Sequence, residues 1–238
     1  MPSVTIIIPT YLDSDALRRT LDATDWRGAE VVVASTADDA TIAPLRAAYP
    51  AIVWVECPRG RARQMNAGAA VSRADWLLFL HADTRLPPGW RAAIADADQR
   101  GHVAIGCFRF ALDSGAWFAR VIEAGVRVRV RLLGLPYGDQ ALFVRRSLFE
   151  RAGGFAELPI MEDVDLVRRM RRAGALFRSP LPALTSARRW ERDGWIRRTA
   201  RHLMLISLYF CGVSPERLVR LDRARMPHPE TSGRRMSL

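Results

Sequence analysis

The sequence predicts an α/β fold in which a mostly parallel central sheet is flanked by helices. The β-branched segment VTIII and the continuously apolar segment WLLFL are typical of strands that are buried on both faces. Segments with helical periodicity separate such strands along the first half of the chain, and this alternation produces parallel sheets. The chain has 238 residues, of which 49% are hydrophobic, and this suffices for one domain with a sizeable core.

The first hundred residues alternate strand and helix. β-branched residues mark the strands, and apolar residues four apart, such as Leu17 and Leu21, mark the helices. The predicted strands are 4–8, 30–34, 52–55 and 76–80, and the predicted helices are 15–23, 42–49, 61–72 and 90–100. Ligands of such sheets collect at the carboxyl ends of the strands, so the residues that follow each strand are the first candidates for a site.

The second half of the chain is less regular and ends in a helical C-terminal segment. Predicted strands are 104–112 and 141–145, predicted helices are 117–133, 147–152 and 161–173, and a loop covers 135–140. We expect one domain over 1–220, divided into halves at residue 100, and a flexible basic tail over 221–238.

The composition restricts the class of protein. All 36 basic residues are arginine and the net charge is +11, which reflects either arginine-rich codon usage or a preference for anionic partners. Three cysteines without a CxxC pair favour neither a zinc site nor a disulfide scaffold. The N-terminus does not resemble a signal peptide, and the apolar run 203–213 is shorter than the roughly 20 residues that cross a bilayer. These features predict a cytoplasmic protein, with peripheral contact with the inner face of the membrane as an open alternative.

The segment LLFLHADT places His81 and Asp83 directly after a buried strand. Side chains two residues apart point to the same side of an extended segment, so both should face the same edge of the sheet. Asp83 could bind a hard cation such as Mg²⁺ or Mn²⁺, which would in turn hold a diphosphate. The alternative is structural, with Asp83 capping the following turn and His81 satisfied within the core.

A second candidate lies in PIMEDVDL, where Glu162, Asp163 and Asp165 begin a predicted helix. Helix capping and the helix dipole account for one or two of these acids. Three acids in four residues exceed that requirement, and a carboxylate at this position could deprotonate an acceptor hydroxyl.

Two basic segments are candidates for binding an anionic ligand. Arg61, Arg63 and Asn66 lie among small residues in GRARQMNAGA, at a strand-to-helix turn that suits a nucleotide. The arginine pair Arg188 and Arg189 could clamp a phosphate, and Trp190 beside it could stack on a sugar ring. The alternatives are a basic helix start, which the helix dipole disfavours, and a surface basic patch. Neither the GxGxxG nor the GxxxxGK[ST] signature is present.

Taken together and in order, these segments resemble the family 2 glycosyltransferases with the A-type fold. VTIIIPTY resembles the opening strand of the family, HADT occupies the place of its DxD metal motif, GGF and MEDVDLVRRM match later elements, and SARRW resembles its QxxRW element. GRARQMNAGA, LLFLHADT, PYGDQALFVRR and PIMEDVDL are also similar to the small bacterial branch of radical-SAM/selenodomain-associated glycosyltransferases.

The resemblance implies a nucleotide-sugar donor bound by 1–100 and an acceptor bound by 101–220. It implies Mg²⁺ or Mn²⁺ at Asp83, Asp163 as the general base beside Glu162, and inversion of the anomeric centre. The implied donor-side residues are Pro9, Tyr11, Asp38, Arg61, Arg63, Asn66, His81, Asp83 and Arg189. The implied acceptor-side residues are Asp139, Gln140 and Trp190.

The chain departs from the family pattern at two donor-side positions. His81 replaces a carboxylate, and Asp38 stands later than the aspartate that usually ends the second strand. The resemblance leaves the sugar, the base and the acceptor open, including a lipid-linked acceptor met by an amphipathic helix over 195–213.

Two other functions stay open. A nucleotidyltransferase would carry a Gly-rich basic loop after its first strand, where PTYLD stands here. A non-catalytic basic module that binds nucleic acid or a membrane would not need the clustered acids, so we expect no nucleic-acid partner.

Overall fold

The computed structural model describes residues 1–224 and contains one eight-stranded sheet. The strands are β1 (Val4–Pro9), β2 (Glu30–Ser35), β3 (Val53–Glu56), β4 (Trp76–Phe79), β5 (Thr84–Arg85), β6 (Val103–Asp113), β7 (Leu142–Arg145) and β8 (Ala175–Ser186). The helices are α1 (Ser14–Ala23), α2 (Ala43–Ala48), α3 (Arg61–Val71), α4 (Trp90–Gln99), α5 (Trp117–Leu133), α6 (Arg146–Arg151), α7 (Glu162–Ala173), α8 (Arg188–Asp193), α9 (Trp195–Phe210) and α10 (Pro215–Ala224).

The sheet has the strand order β3-β2-β1-β4-β7-β6-β8-β5. β1 pairs in parallel with both β2 and β4, and β6 pairs in parallel with β8. Because β7 is antiparallel to both of its neighbours, six strands run in one direction and only β7 and β5 oppose them. The predicted α/β fold with a mostly parallel sheet and a helical C-terminal segment is confirmed.

Alternate residues of the central strands belong to two different apolar layers. Ile6 and Leu78 pack in the layer that includes α1 and α4, whereas Ile7 and Leu77 pack in the layer that includes α3 and α7. All four side chains are completely buried. Burial on both faces explains why these strands are apolar without alternation, and it places their carboxyl ends at one common edge.

Two strands were not predicted from the sequence, the two-residue β5 and the long β8. β8 contains Pro180 and Pro182, and proline normally argues against a strand because it lacks the N–H that a ladder requires. The pairing of β8 with β6 contains register shifts, one of them between Cys107 and Arg109, close to these prolines. The sheet therefore tolerates both prolines at an irregularity.

The C-terminal region is helical as far as the structure describes it. α10 runs to Ala224, and the remainder of the predicted basic tail lies outside the described residues. None of the helices within 1–224 combines the length and the apolar character needed to cross a bilayer.

Candidate functional site

A cleft of about 250 Å³ opens at the carboxyl ends of β1 and β4. Since these strands are parallel neighbours, the segments that leave them lie side by side. The cleft is lined by Pro9, Thr10, Tyr11, Asp13, Arg59, Gly60, Arg61, Gln64, His81, Ala82, Asp83 and Arg189. Six of the predicted donor-side residues are among them, namely Pro9, Tyr11, Arg61, His81, Asp83 and Arg189.

Asp83 lies at the wall of this cleft between two arginines. Its carboxylate is only 5% exposed, and its Oδ2 lies 3.6 Å from Arg189 Nη2 and 4.0 Å from Arg188 Nη2. Arg188 forms a closer ion pair with Asp13, whose carboxylate also lies 3.8 Å from Arg189 Nη2. Two carboxylates and two guanidinium groups therefore share one corner of the cleft.

Asp163 belongs to a second group of residues, in which Gly138 contacts both Asp163 and His81. Asp163 Oδ2 accepts a hydrogen bond from the Gly138 N–H at 2.7 Å, and its Oδ1 accepts one from the Val164 N–H at 2.8 Å. A Cβ placed on Gly138 would lie 2.7 Å from His81 Nε2 and 3.4 Å from Asp163 Oδ2. Only glycine allows the loop to approach both side chains this closely.

Glu162 forms an ion pair with Arg61, which lines the cleft. Glu162 Oε1 lies 3.3 Å from Arg61 Nη1, and the glutamate side chain is 5% exposed whereas that of Arg61 is 48% exposed. Burial raises the pKa of Glu162, and Arg61 opposes this shift. A small enclosed cavity of about 10 Å³ touches Arg61, His81, Glu162 and Asp163, so the acidic helix start adjoins the cleft.

The protonation states of His81 and Asp139 are perturbed. Burial and the nearby guanidinium groups of Arg61 and Arg189 lower the pKa of His81 to about 3, so its imidazole is neutral at pH 7. Burial raises the pKa of Asp139 to about 6 against the opposing effect of Arg129. A neutral imidazole beside Asp83 adds no positive charge that would repel a cation.

The structure places three predicted donor-side residues away from the cleft lining. Arg63 Nε donates to Glu157 Oε2 at 2.8 Å on the surface. Asn66 exchanges two hydrogen bonds of 2.9 Å with the backbone of Phe155, and it thereby fixes the GGF turn. Asp38 is exposed in the turn after β2.

Two predicted acceptor-side residues have structural partners. Gln140 is buried and donates to the Phe108 carbonyl at 3.0 Å. Trp190 packs 6.2 Å from the ring of Phe110 and lies beneath the guanidinium of Arg198. Asp139 is the acceptor-side residue that retains an unpartnered buried oxygen, its Oδ1.

Sequence reasoning predicted Arg188 together with Arg189 but missed two residues of the site, Asp13 and Gly138. Asp13 follows the first strand where the family usually has Asn-Glu, so it carried a usable signal. Gly138 carried none, because its role depends on a contact with Asp163, 25 residues later in the chain.

Backbone strain accumulates around the same site. Within residues 1–224, the non-glycine residues with left-handed φ are Leu12, Ala141 and Met161. Leu12 precedes Asp13, Ala141 follows the Asp139 loop, and Met161 precedes Glu162. Such conformations cost about 1–3 kcal/mol each and are typical of functional sites.

The residues at the cleft corner fit a divalent cation that is completed by a ligand. No group of three or more His, Cys, Asp or Glu side chains in the described part of the chain could form a full metal cage. Asp83 offers a buried carboxylate whose nearest cationic groups are 3.6 Å away or more. Mg²⁺ and similar ions are commonly held by one or two carboxylates together with substrate phosphates and water, and Asp83 would provide the carboxylate.

Comparisons with known proteins identify the relatives of this chain. A family model described as glycosyl transferase family 2 matches residues 5–156. The mannosyltransferase PcManGT from Pyrobaculum calidifontis, solved with GDP-Man and Mn²⁺, is 20% identical with a TM-score of 0.59, covering 90% of this chain and 66% of that one. S. aureus TarS 1–349 is 14% identical with a TM-score of 0.57, covering 76% and 57%. The chain thus spans less than two thirds of either structure, and no curated protein matches it.

Proposed function

Since the chain belongs to glycosyl transferase family 2, we propose that it transfers a sugar from a nucleotide-diphosphate sugar to a hydroxyl acceptor with inversion of the anomeric centre. One observation carries this proposal. The cleft has a corner in which Arg188 and Arg189 lie beside Asp83, and it adjoins a small cavity that touches the carboxylate of Asp163. A transferase of this kind needs both features, one for the leaving diphosphate and one for the attacking hydroxyl.

The first half of the chain, together with Arg189 from the second half, would bind the donor. Tyr11 presents its ring at the cleft with the Arg59 guanidinium stacked 4.1 Å from the ring centroid, which provides a flat surface for a base. Arg61 and Arg189 line the same cleft and suit the oxyanions of a diphosphate. Departure of the nucleotide increases the negative charge on the diphosphate, and fixed guanidinium groups stabilise it where it develops.

Mg²⁺ or Mn²⁺ would be held by Asp83, and when bound it would supply Lewis-acid stabilisation of the diphosphate. The structural relative that was solved with GDP-Man and Mn²⁺ supports this part of the proposal. His81 stays neutral beside Asp83 and keeps the first position of the motif uncharged. Arg188, held by Asp13, would be the second guanidinium group at this corner.

The second half of the chain would bind the acceptor. Two backbone N–H groups fix the carboxylate of Asp163, so one of its oxygens is oriented to take the proton of the acceptor hydroxyl. Glu162 is engaged by Arg61 and would act by positioning that guanidinium. The protein would work in the cytoplasm, where its free cysteines remain reduced, on an acceptor that can be a lipid-linked molecule.

The test separates donor binding from turnover. We expect calorimetric titration with UDP-, GDP- and dTDP-sugars to reveal one nucleotide that binds only with Mn²⁺, and Asp83→Asn to abolish that binding. Asp163→Asn should bind the same donor normally. Its rate of donor hydrolysis, measured as release of the nucleoside diphosphate, should be about 10²–10⁴-fold lower than that of the unmodified protein.

Asp165→Asn is the matched control for Asp163→Asn. It removes an acid from the same helical turn, where Asp165 pairs with Arg169 at 2.6 Å instead of facing the cleft. We expect its donor hydrolysis to match that of the unmodified protein. Absence of binding to all three nucleotides with Mn²⁺ present would refute the donor site, and equal loss in both variants would refute Asp163 as the base.

A further inference from the structure

One face of α5 carries a row of exposed apolar side chains. Trp117, Val121, Val128 and Leu132 are 66%, 55%, 56% and 73% exposed. At 3.6 residues per turn and a rise of 1.5 Å, these four positions fall within an arc of about 60° and extend over about 22 Å of the helix. Surface apolar residues usually occur singly, whereas a continuous row marks a contact surface.

This row is not the face with which α5 packs on the protein. Ala119 and Val130 are buried, and Ile122 and Val126 pack against the inner apolar clusters. The opposite side of the helix therefore packs against the rest of the protein. Within residues 1–224 no side chain covers the exposed row, so it contacts either water or a partner.

The exposed charges beside this row of apolar side chains are all positive. Arg127 and Arg131 are exposed and lie four residues apart along the edge of the row. The acid of this helix, Glu123, is 3% exposed because it accepts from the Leu112 N–H at 2.8 Å and pairs with Arg120. The exposed edge of α5 therefore presents only positive charge.

The same helix positions the acceptor side of the site. From the inner side of α5, Arg129 Nε donates to the Leu135 carbonyl at 3.0 Å, and its guanidinium lies 3.4 Å from the centroid of the Tyr137 ring. The next residue, Gly138, donates to Asp163. A surface that contacts the outer side of α5 would thus lie beside the wall that holds the proposed base.

We propose that α5 docks on an anionic lipid bilayer through the α5 face, defined as Trp117, Val121, Val128 and Leu132 with Arg127 and Arg131. An apolar stripe that ends in tryptophan and is bordered by arginine is the pattern of helices that lie in the membrane interface. Anionic headgroups complement the arginines, whereas a second copy of the chain would bring the same positive edge against itself. Resting on the proposed function, this docking assigns the acceptor to a lipid-borne hydroxyl presented at that interface.

Flotation of the full chain with lipid vesicles tests the docking directly. We expect binding to vesicles of phosphatidylcholine with phosphatidylglycerol, and much weaker binding to phosphatidylcholine alone. Val121→Gln with Val128→Gln should weaken binding to the anionic vesicles by about tenfold, because two apolar side chains no longer enter the interface. Arg127→Gln with Arg131→Gln should weaken it about thirtyfold and reduce its salt dependence.

The matched control alters exposed apolar residues on another helix. Ile196 and Leu203 of α9 are 69% and 56% exposed, and Ile196→Gln with Leu203→Gln should leave vesicle binding unchanged. Glutamine favours helix formation at least as well as valine or isoleucine, so all variants should keep the thermal unfolding midpoint and the circular dichroism of the unmodified protein.

Each outcome distinguishes the docking from the enzymatic proposal. The docking is refuted if the unmodified protein does not float with anionic vesicles, or if the α9 variant loses binding while the α5 variants keep it. A dimer that the Val121/Val128 variant dissociates would assign the face to a second copy instead. Nucleotide titration of the same variants should be normal, so loss of vesicle binding with intact donor binding leaves the proposed function standing.

Discussion

Replacing Asp139 with asparagine should make the protein more stable at neutral pH. Asp139 lies in the loop between α5 and β7, where its Oδ1 is buried without a hydrogen-bond partner. Burial raises its pKa from 3.8 to about 6, and the carboxylates of Asp163 and Asp83 add to this shift against Arg129 and Arg61. The folded protein therefore disfavours the ionised form, and asparagine mimics the neutral form.

The sign of the effect follows from proton linkage. Between pH 3.8 and about 6, the folded state binds more protons at this residue than the unfolded state does, so stability falls as pH rises through that window. A shift of this size corresponds to about 3 kcal/mol in total, of which about 2 kcal/mol is lost between pH 4.5 and 7.5.

The assay is urea unfolding followed by tryptophan fluorescence at several pH values between 4.5 and 7.5. We expect the advantage of Asp139→Asn over the unmodified protein to grow by about 2 kcal/mol across this range. Asp38→Asn, which removes an exposed carboxylate, controls for the change in net charge. Two parallel stability curves for Asp139→Asn and the unmodified protein would refute the reasoning.

Two glycine contacts provide further predictions. Gly138→Ala should slow donor hydrolysis by about a hundredfold, since the added Cβ would lie 2.7 Å from His81 Nε2 and displace the site loop; unaltered kinetics would show that the loop relaxes freely. Gly68→Ala should cost about 1–3 kcal/mol in urea unfolding, because its Cβ would lie 2.5 Å from Ile7 Cγ2. Gly125→Ala, also within a helix but with nothing within 4 Å of its Cβ, should gain about 0.5–1 kcal/mol, and the reverse order would contradict the packing described.

Much of the fold could be predicted because its signals are local. A run such as WLLFL is apolar without alternation only where a strand is covered on both sides, and this reasoning placed β4 within one residue of its observed end. β8 could not be predicted in the same way, because Pro180 and Pro182 oppose a strand locally. The long pairing with β6 overrides that preference, and a local pattern does not contain such a pairing.

The candidate site also contains residues that local sequence predicted and residues whose role depends on packing. His81 and Asp83 were predicted because they follow a buried strand, and both line the cleft. Asn66 has the residue type and spacing of a ligand-binding position, yet its amide is used to hold the Phe155 backbone. Which of several polar side chains faces the cleft depends on the packing of distant segments, so residue type alone did not separate them.

The sequence by itself determined the α/β class, six of the eight strands and the family to which the chain belongs. These properties depend on hydrophobic periodicity and on short motifs, which act between neighbours in the chain. Only the tertiary structure decided that Arg188 meets Asp13, 175 residues away, and that Gly138 meets Asp163. Such contacts are made by elements that the sheet brings together after the chain has folded, and their geometry is a property of the packed molecule.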